Sequence, residues 1–268
     1  MELYQYMVSA VVSFLASVAG AICGIGGGVL IKPILDACGG MDVAVVNFLS
    51  GCTVLSMSCY SVGKARISGS CLVEGRTGTL LAAGAALGGM GGKMLFQAIL
   101  FQAKDPGRVG AIQAFCLLLL TLGTFAYTVK KGQIRTFQLS GVPVCLLIGA
   151  GLGVVSAFLG IGGGPINLVV LFFFFSMDTK TAAQNSLYII LFSQAASLLQ
   201  TLWTRTVPPC GLGPLVVMVL CGILGGAAGR SVNRHLTAEK VDALLKGLMV
   251  MIMGICLYNM WLSASVRV

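Results

Sequence analysis

Five residues recur letter for letter in this chain: Gly24-Ile25-Gly26-Gly27-Gly28 and, 136 positions later, Gly160-Ile161-Gly162-Gly163-Gly164. Each copy interrupts an apolar run. Each is followed by a short apolar segment, Val29-Leu30-Ile31-Lys32-Pro33 in one case and Pro165-Ile166-Asn167-Leu168 in the other. Glycine costs about 1 kcal/mol relative to alanine inside a helix, so such a run ends one helix and lets another begin. The first N–H groups of a helix lack intrahelical partners, and the helix dipole adds partial positive charge there. A helix start preceded by residues without side chains is a ready cradle for an anion. Pro165 suits the first helical position, where its missing N–H is not needed. Two such starts facing each other would bind one small anion, and sulfite, sulfate or a sulfonate head has the acceptor oxygens to engage them.

Around these breaks stand the polar residues that could complete a site. Lys32 lies four positions after Gly28, in a segment where an ionisable group is costly and functional by default. It would counter a substrate's charge, pair with Asp36 one turn on, or extend to the surface. Asn47, Ser50, Asn167, Asn185 and Ser186 are further candidates, with Gln184 and Gln194 as neighbours; each would contact ligand or hydrogen-bond helix to helix. The candidate binding set is therefore Gly24, Gly26, Gly27, Gly28, Lys32, Asn47, Ser50, Gly160, Gly162, Gly163, Gly164, Asn167, Asn185 and Ser186. Asp42 and Asp178 read as helix N-caps.

The elements that must position these residues are membrane helices. Of the 268 residues 57% are hydrophobic and 9% charged, with mean hydropathy +0.97; a soluble domain carries roughly 25% charged residues. Apolar runs predict ten helical segments at 4–22, 26–38, 42–62, 78–101 and 109–129, then 138–159, 162–176, 180–203, 211–229 and 241–263. Most reach the roughly 20 residues that a span requires, but the second of each half does not. With its predecessor it reads as a Gly-broken helical hairpin dipping into the protein. In lipid an unwound backbone is tolerated only where protein or a polar cavity meets its groups, so a doubled break points to a binding site.

The halves match beyond the glycines. At the offset of 136, Met41-Asp42 aligns with Met177-Asp178, Ser50 with Ser186 and Ser61 with Ser197; at 137, the run from Gly88 to Lys93 aligns with that from Gly225 to Arg230. An ancestral duplication follows, with repeats at 1–131 and 132–268 joined by the basic linker Lys130 to Phe137. Five segments per half is odd, so the repeats have inverted topology. One side of the membrane receives Lys64, Arg66, Arg76, Lys130, Lys131, Arg135, Lys180, Arg230, Arg234, Lys240 and Lys246; the other receives Lys104, Arg108, Arg205 and Arg267. The positive-inside rule puts the first side in the cytoplasm and both termini outside.

Other chemistries are excluded by what is missing. The sequence has no Ser/His/Asp set, no paired carboxylates and no soluble P-loop or Rossmann context for its glycines, so no enzyme and no cofactor is expected. The excess of 17 Lys and Arg over 8 Asp and Glu sits in loops, and nucleic acid is not expected as a partner. Ten cysteines without paired spacing and a single histidine give no metal site; the thiols read as small hydrophobes. The glycines at 88, 89, 92, 225, 226 and 229 read as helix-packing positions. No deep carboxylate marks a coupling ion.

The pattern resembles the sulfite exporter TauE/SafE family of bacterial membrane transporters. Gly24, Gly26, Gly27, Gly28 and Pro33 match its first break, and Gly160, Gly162, Gly163 and Gly164 its second; Val169 stands where a second proline is usual. Ala182, Asn185 and Ser186 resemble the element that follows, with Asn47 to Ser50 as its weaker counterpart. The resemblance covers nearly the whole chain. It implies a multi-pass protein of the bacterial cytoplasmic membrane carrying sulfite, thiosulfate or organosulfonates. The expected function is thus a secondary transporter of small sulfur anions working by alternating access. An anion channel using the same cradle, or a non-transporting membrane receptor, is the alternative.

Overall fold

A computed structural model describes residues 3–102 and 106–265; Lys104 and Arg267, counted above, lie outside them. Among the described residues the chain is all-helical: α1 (Leu3–Cys23), α2 (Gly28–Cys38), α3 (Val43–Ile67), α4 (Gly75–Gln102), α5 (Pro106–Lys130), α6 (Val142–Leu159), α7 (Pro165–Phe175), α8 (Thr179–Trp203), α9 (Leu212–His235) and α10 (Ala238–Ser265), with one 3-10 turn at Lys131–Gln133. Eight are long and apolar enough to cross a membrane. The exceptions, α2 and α7, are 11 residues each, and both follow a glycine break. Leucines such as Leu87, Leu119, Leu147, Leu199 and Leu224 stand exposed along the long helices, as a lipid-facing surface requires.

Two elements run past their apolar patterns. The sequence predicts α3 to stop near residue 62 and α9 near 229, yet they continue to Ile67 and His235. Their last two turns carry Lys64, Arg66, Arg230 and Arg234, charged residues that hydropathy reads as loop, and those of the last turn favour helix C-termini through the dipole. Asp178 caps α8 as expected, accepting from the Lys180 and Thr181 amides at 3.1 and 3.4 Å. Asp42 occupies the N-cap of α3 but makes no side-chain cap bond.

Helices of one half pack mainly on helices of the other: α4 along α6, α1 along α9, α4 against α8, α3 against α9 and α5 against α10. No water is expelled when helices meet in lipid, so close approach through small residues supplies the packing. A methyl on Gly88 would overlap the Ala150 carbonyl, and one on Gly92 that of Val154. The aligned glycines repeat the contact: Gly225 abuts Phe14 and Gly229 abuts Val18. Phe14 and Val18 lie 136 positions before Ala150 and Val154.

One end of the bundle gathers the basic residues. There the Asn233 amide donates to the Ile22 carbonyl, Lys131 pairs with Asp242, and Arg230 donates to Ser70 Oγ at 2.7 Å. The opposite end holds the start of α1 beside Gly40 and the end of α4, where Gln97 donates to Thr206.

Candidate functional site

The two glycine breaks meet in the middle of the bundle. The Gly164 N–H donates to the Ile25 carbonyl at 3.0 Å, and a methyl on Gly28 would strike the Ile161 carbonyl. The residues facing them follow the repeat. Gly24 lies against Ala183 of α8 and Gly160 against Asn47 of α3; Gly26 faces Ile190 and Gly162 faces Val54. Ala183 and Ile190 stand 136 positions after Asn47 and Val54. Each break is thus enclosed by the third helix of the other half, and Ile25, Val29 and Ile161 are buried between them.

Positive φ is what the glycines supply. Gly24 and Gly26 take φ of 74° and 72° in the first break; in the second, Gly160, Gly162, Gly163 and Gly164 all do, from 66° to 129°. A residue with a Cβ is strained in that region.

Buried polar atoms sort the candidate side chains. Asn47 is 4% exposed and Asn167 1%, and neither end of either amide has a hydrogen-bond partner among the described residues. Asn47 lies over Gly160, while a methyl on Gly163 would crowd both Ile190 and the Asn167 Nδ2. The hydroxyls of Ser50 and Ser186 are also buried and unpartnered. Ser50 lies one turn from Asn47 along α3, and Ser186 one turn from Ala183 along α8. Leaving such a group unsatisfied costs about 1–3 kcal/mol, so a cluster of them calls for a ligand or a function.

Lys32 and Asn185 are placed otherwise. Lys32 is 3% exposed and its Nζ lies 2.5 Å from Asp36 Oδ2, the helical-turn pairing that the sequence left open. They border a small recess with Gln113, Leu159, Cys256 and Asn259. Asn185 donates to the Leu72 and Thr181 carbonyls and accepts from the Glu74 amide, tying the loop before α4 to α8.

A cavity of about 300 Å³ opens at the basic end. Arg230, Arg234 and Lys180 line it together with Ser61, Ser70 and Gln184, and its inner wall includes Ala21 and Ala183. Ala183 is the residue against which Gly24 packs, so the cavity borders the first break. Sequence reasoning counted these three cations only as orienting charges. The signal that could have found Arg230 was its alignment with Lys93, a lysine inside an apolar run.

Eight membrane-length helices around a doubled helix break, with a cation-lined vestibule at one end, have the attributes of a multi-pass membrane transport protein. The sulfite exporter TauE/SafE family model matches residues 9–257, and the chain belongs to that family. It is accordingly a membrane transporter of sulfur anions and not an enzyme. Comparison with curated proteins and with solved structures gives no match.

Proposed function

We propose that the chain moves sulfite and related sulfur oxyanions or organosulfonates by alternating access, holding the anion at the paired helix starts after Gly28 and Gly164. The observation that carries this reading is the group of buried polar atoms without protein partners around the breaks: the Asn47 and Asn167 amides beside the second, the Ser50 hydroxyl one turn from Asn47, and the Ser186 hydroxyl one turn from Ala183 at the first. Amide N–H and hydroxyl donors converging on glycine backbone suit an anion with several acceptor oxygens. Lys180, Arg230 and Arg234 raise the local anion concentration at the vestibule mouth, and the anion enters past Ala21 and Ala183 toward Gly24. Lys32 and Asn185 serve as structural residues, each with its own protein partners.

The exchanged contacts support a duplicated architecture of inverted repeats, 1–131 and 132–268, in which each half closes on the break of the other. The positive-inside rule puts the Arg230 end in the cytoplasm and both termini outside. The vestibule then opens inward, while Val29, Val54 and Ile190 close the space between the breaks. That plug favours a carrier over a channel, whose pore would have to be continuous.

The test is flux of sulfite, thiosulfate and sulfoacetate into proteoliposomes containing only this chain. Saturable flux of at least one, without single-channel currents, is expected. No flux of any of them, or single-channel currents, would contradict the proposal.

A further inference from the structure

The two ends of the bundle carry related polar arrangements. At the basic end Ser68 and Ser70 lie with their hydroxyls 3.2 Å apart; Arg230 donates to them at 3.2 and 2.7 Å, and Arg234, one turn on, reaches Ser68 at 3.4 Å. At the far end the Thr204 and Thr206 hydroxyls lie 2.8 Å apart, and Gln97 donates to Thr206. The threonines stand 136 positions after the serines, and Gln97 stands 137 before Arg234. By the same offset Lys93, one turn deeper along α4 than Gln97, has the place of Arg230.

Lys93 differs from Arg230 in being shut in. It is 7% exposed. Among the described residues it has no ion pair, and its ammonium lies over the Phe96 ring, 5.3 Å from the centroid. Arg230 faces an open cavity; the corresponding space beside Lys93 is filled. Phe96 stands where Asn233 lines the vestibule and Phe48 where Gln184 does, and both phenylalanines are buried. An unpaired ammonium enclosed within a membrane bundle is costly and marks a functional position. A ring face is a weak counterpart that an anion can displace.

We infer that Lys93 is the anion-receiving cation of a second vestibule, closed in this structure, that opens at the end opposite Arg230 when the carrier reverses. The inference rests on the alternating-access reading and names the residue by which the same sulfur anion is gripped at the other face. Phe48, Phe96 and the Gln97–Thr206 bond are the closure that must part. On reopening, Lys93 exchanges the Phe96 ring for the anion.

Initial rates of sulfite transport in right-side-out and inverted membrane vesicles, made from cells producing the full chain, test it. Lys93→Gln is expected to raise the half-saturating sulfite concentration about tenfold at the face away from Arg230 and to leave the Arg230 face within about twofold, as loss of one charged contact at one site implies. Lys93→Arg should restore the wild-type value, and Arg230→Gln should give the opposite asymmetry. Gln97→Arg, at a half-buried position one turn nearer the surface, supplies a second cation and should lower the half-saturating value at the Lys93 face about threefold. Equal effects of Lys93→Gln at both faces, or none at either, would overturn the role of Lys93 while leaving sulfite transport intact. If Lys93→Gln does not fold, an unchanged Gln97→Arg would overturn it instead. A wild type that carries no sulfite in either vesicle defeats the transport reading itself.

Discussion

The first break passes from Gly27, in a right-handed conformation at φ −66°, to Gly28 as the opening residue of α2; its repeat, Gly164, stands outside α7 at φ 96° and ψ −169°. The letters of the two breaks are the same, and the difference comes from the residue after them. Val29 allows Gly28 to be helical. Pro165 disfavours helical geometry in the residue before it, so Gly164 is pushed out of the helix and its N–H is released to the Ile25 carbonyl. The second break is consequently the more distorted, and the unpartnered Asn47 and Asn167 amides lie against it. The first is faced by Ala183 and Ile190. The two unpartnered amides thus lie against the second break, while the side chains directly against the first are apolar.

Substitutions at the equivalent glycines should separate these two characters. Gly24→Ala is expected to cost most, about 3–5 kcal/mol, because its methyl overlaps the Ala183 backbone at a left-handed φ. The readout is loss of monodisperse protein or of melting temperature in detergent. Gly160→Ala meets the movable side chain of Asn47 instead. Asn47→Ala in the same chain should therefore recover a substantial part of the Gly160→Ala loss, and simple additivity of the two penalties would break the comparison.

Lys32 and its aligned residue Leu168 form a second contrast. Lys32→Met leaves the Asp36 carboxylate partly buried without its partner, at a cost of about 2 kcal/mol. Lys32→Met with Asp36→Leu should regain most of that stability and carry sulfite at a rate within about twofold of wild type, since a matched apolar pair can replace an ion pair. A folded double variant without transport would return Lys32 to the substrate site.

The helix caps give the smallest effect. Burial raises the Asp178 pKa, but the hydrogen bonds from Thr181 and Lys180 outweigh it and hold the carboxyl below its ordinary range. The cap therefore stabilises fully above the unfolded pKa, near 3.9, and its contribution is lost as pH falls through the lower folded value. Asp178→Ala should cost about 1 kcal/mol at pH 7, shrinking toward zero in acid. Asp42→Ala, which removes no cap bond, should cost less. Equal losses for both in thermal melts at pH 7 would remove the distinction.

Much of this was legible in the residues because it is written in local pattern. Ten helices, two short ones after glycine breaks, and the common offset all follow from glycine spacing and apolar runs. What was not legible depends on packing between distant segments. Asn47 and Asn185 look alike as amides at the start of long helices, yet one lies against Gly160 with no partner and the other is consumed by the loop at Leu72 and Glu74. Arg230 and Arg234 read as loop charges because hydropathy ends at Gly229, whereas α9 carries them on into the wall of the vestibule. Lys32 was open to a substrate, to Asp36 or to the surface until the fold put Asp36 beside it.

On the proposed transport reading the amides beside the second break are kept unpaired for an anion. Asn47→Leu and Asn167→Leu test it most directly, because leucine fills similar space and removes the unsatisfied atoms. The measurement is the melting temperature of detergent-purified protein with and without sulfite. Each variant is expected to melt at or above the wild-type temperature without sulfite and to lose the sulfite-induced rise. A full sulfite-induced rise in both variants would contradict it.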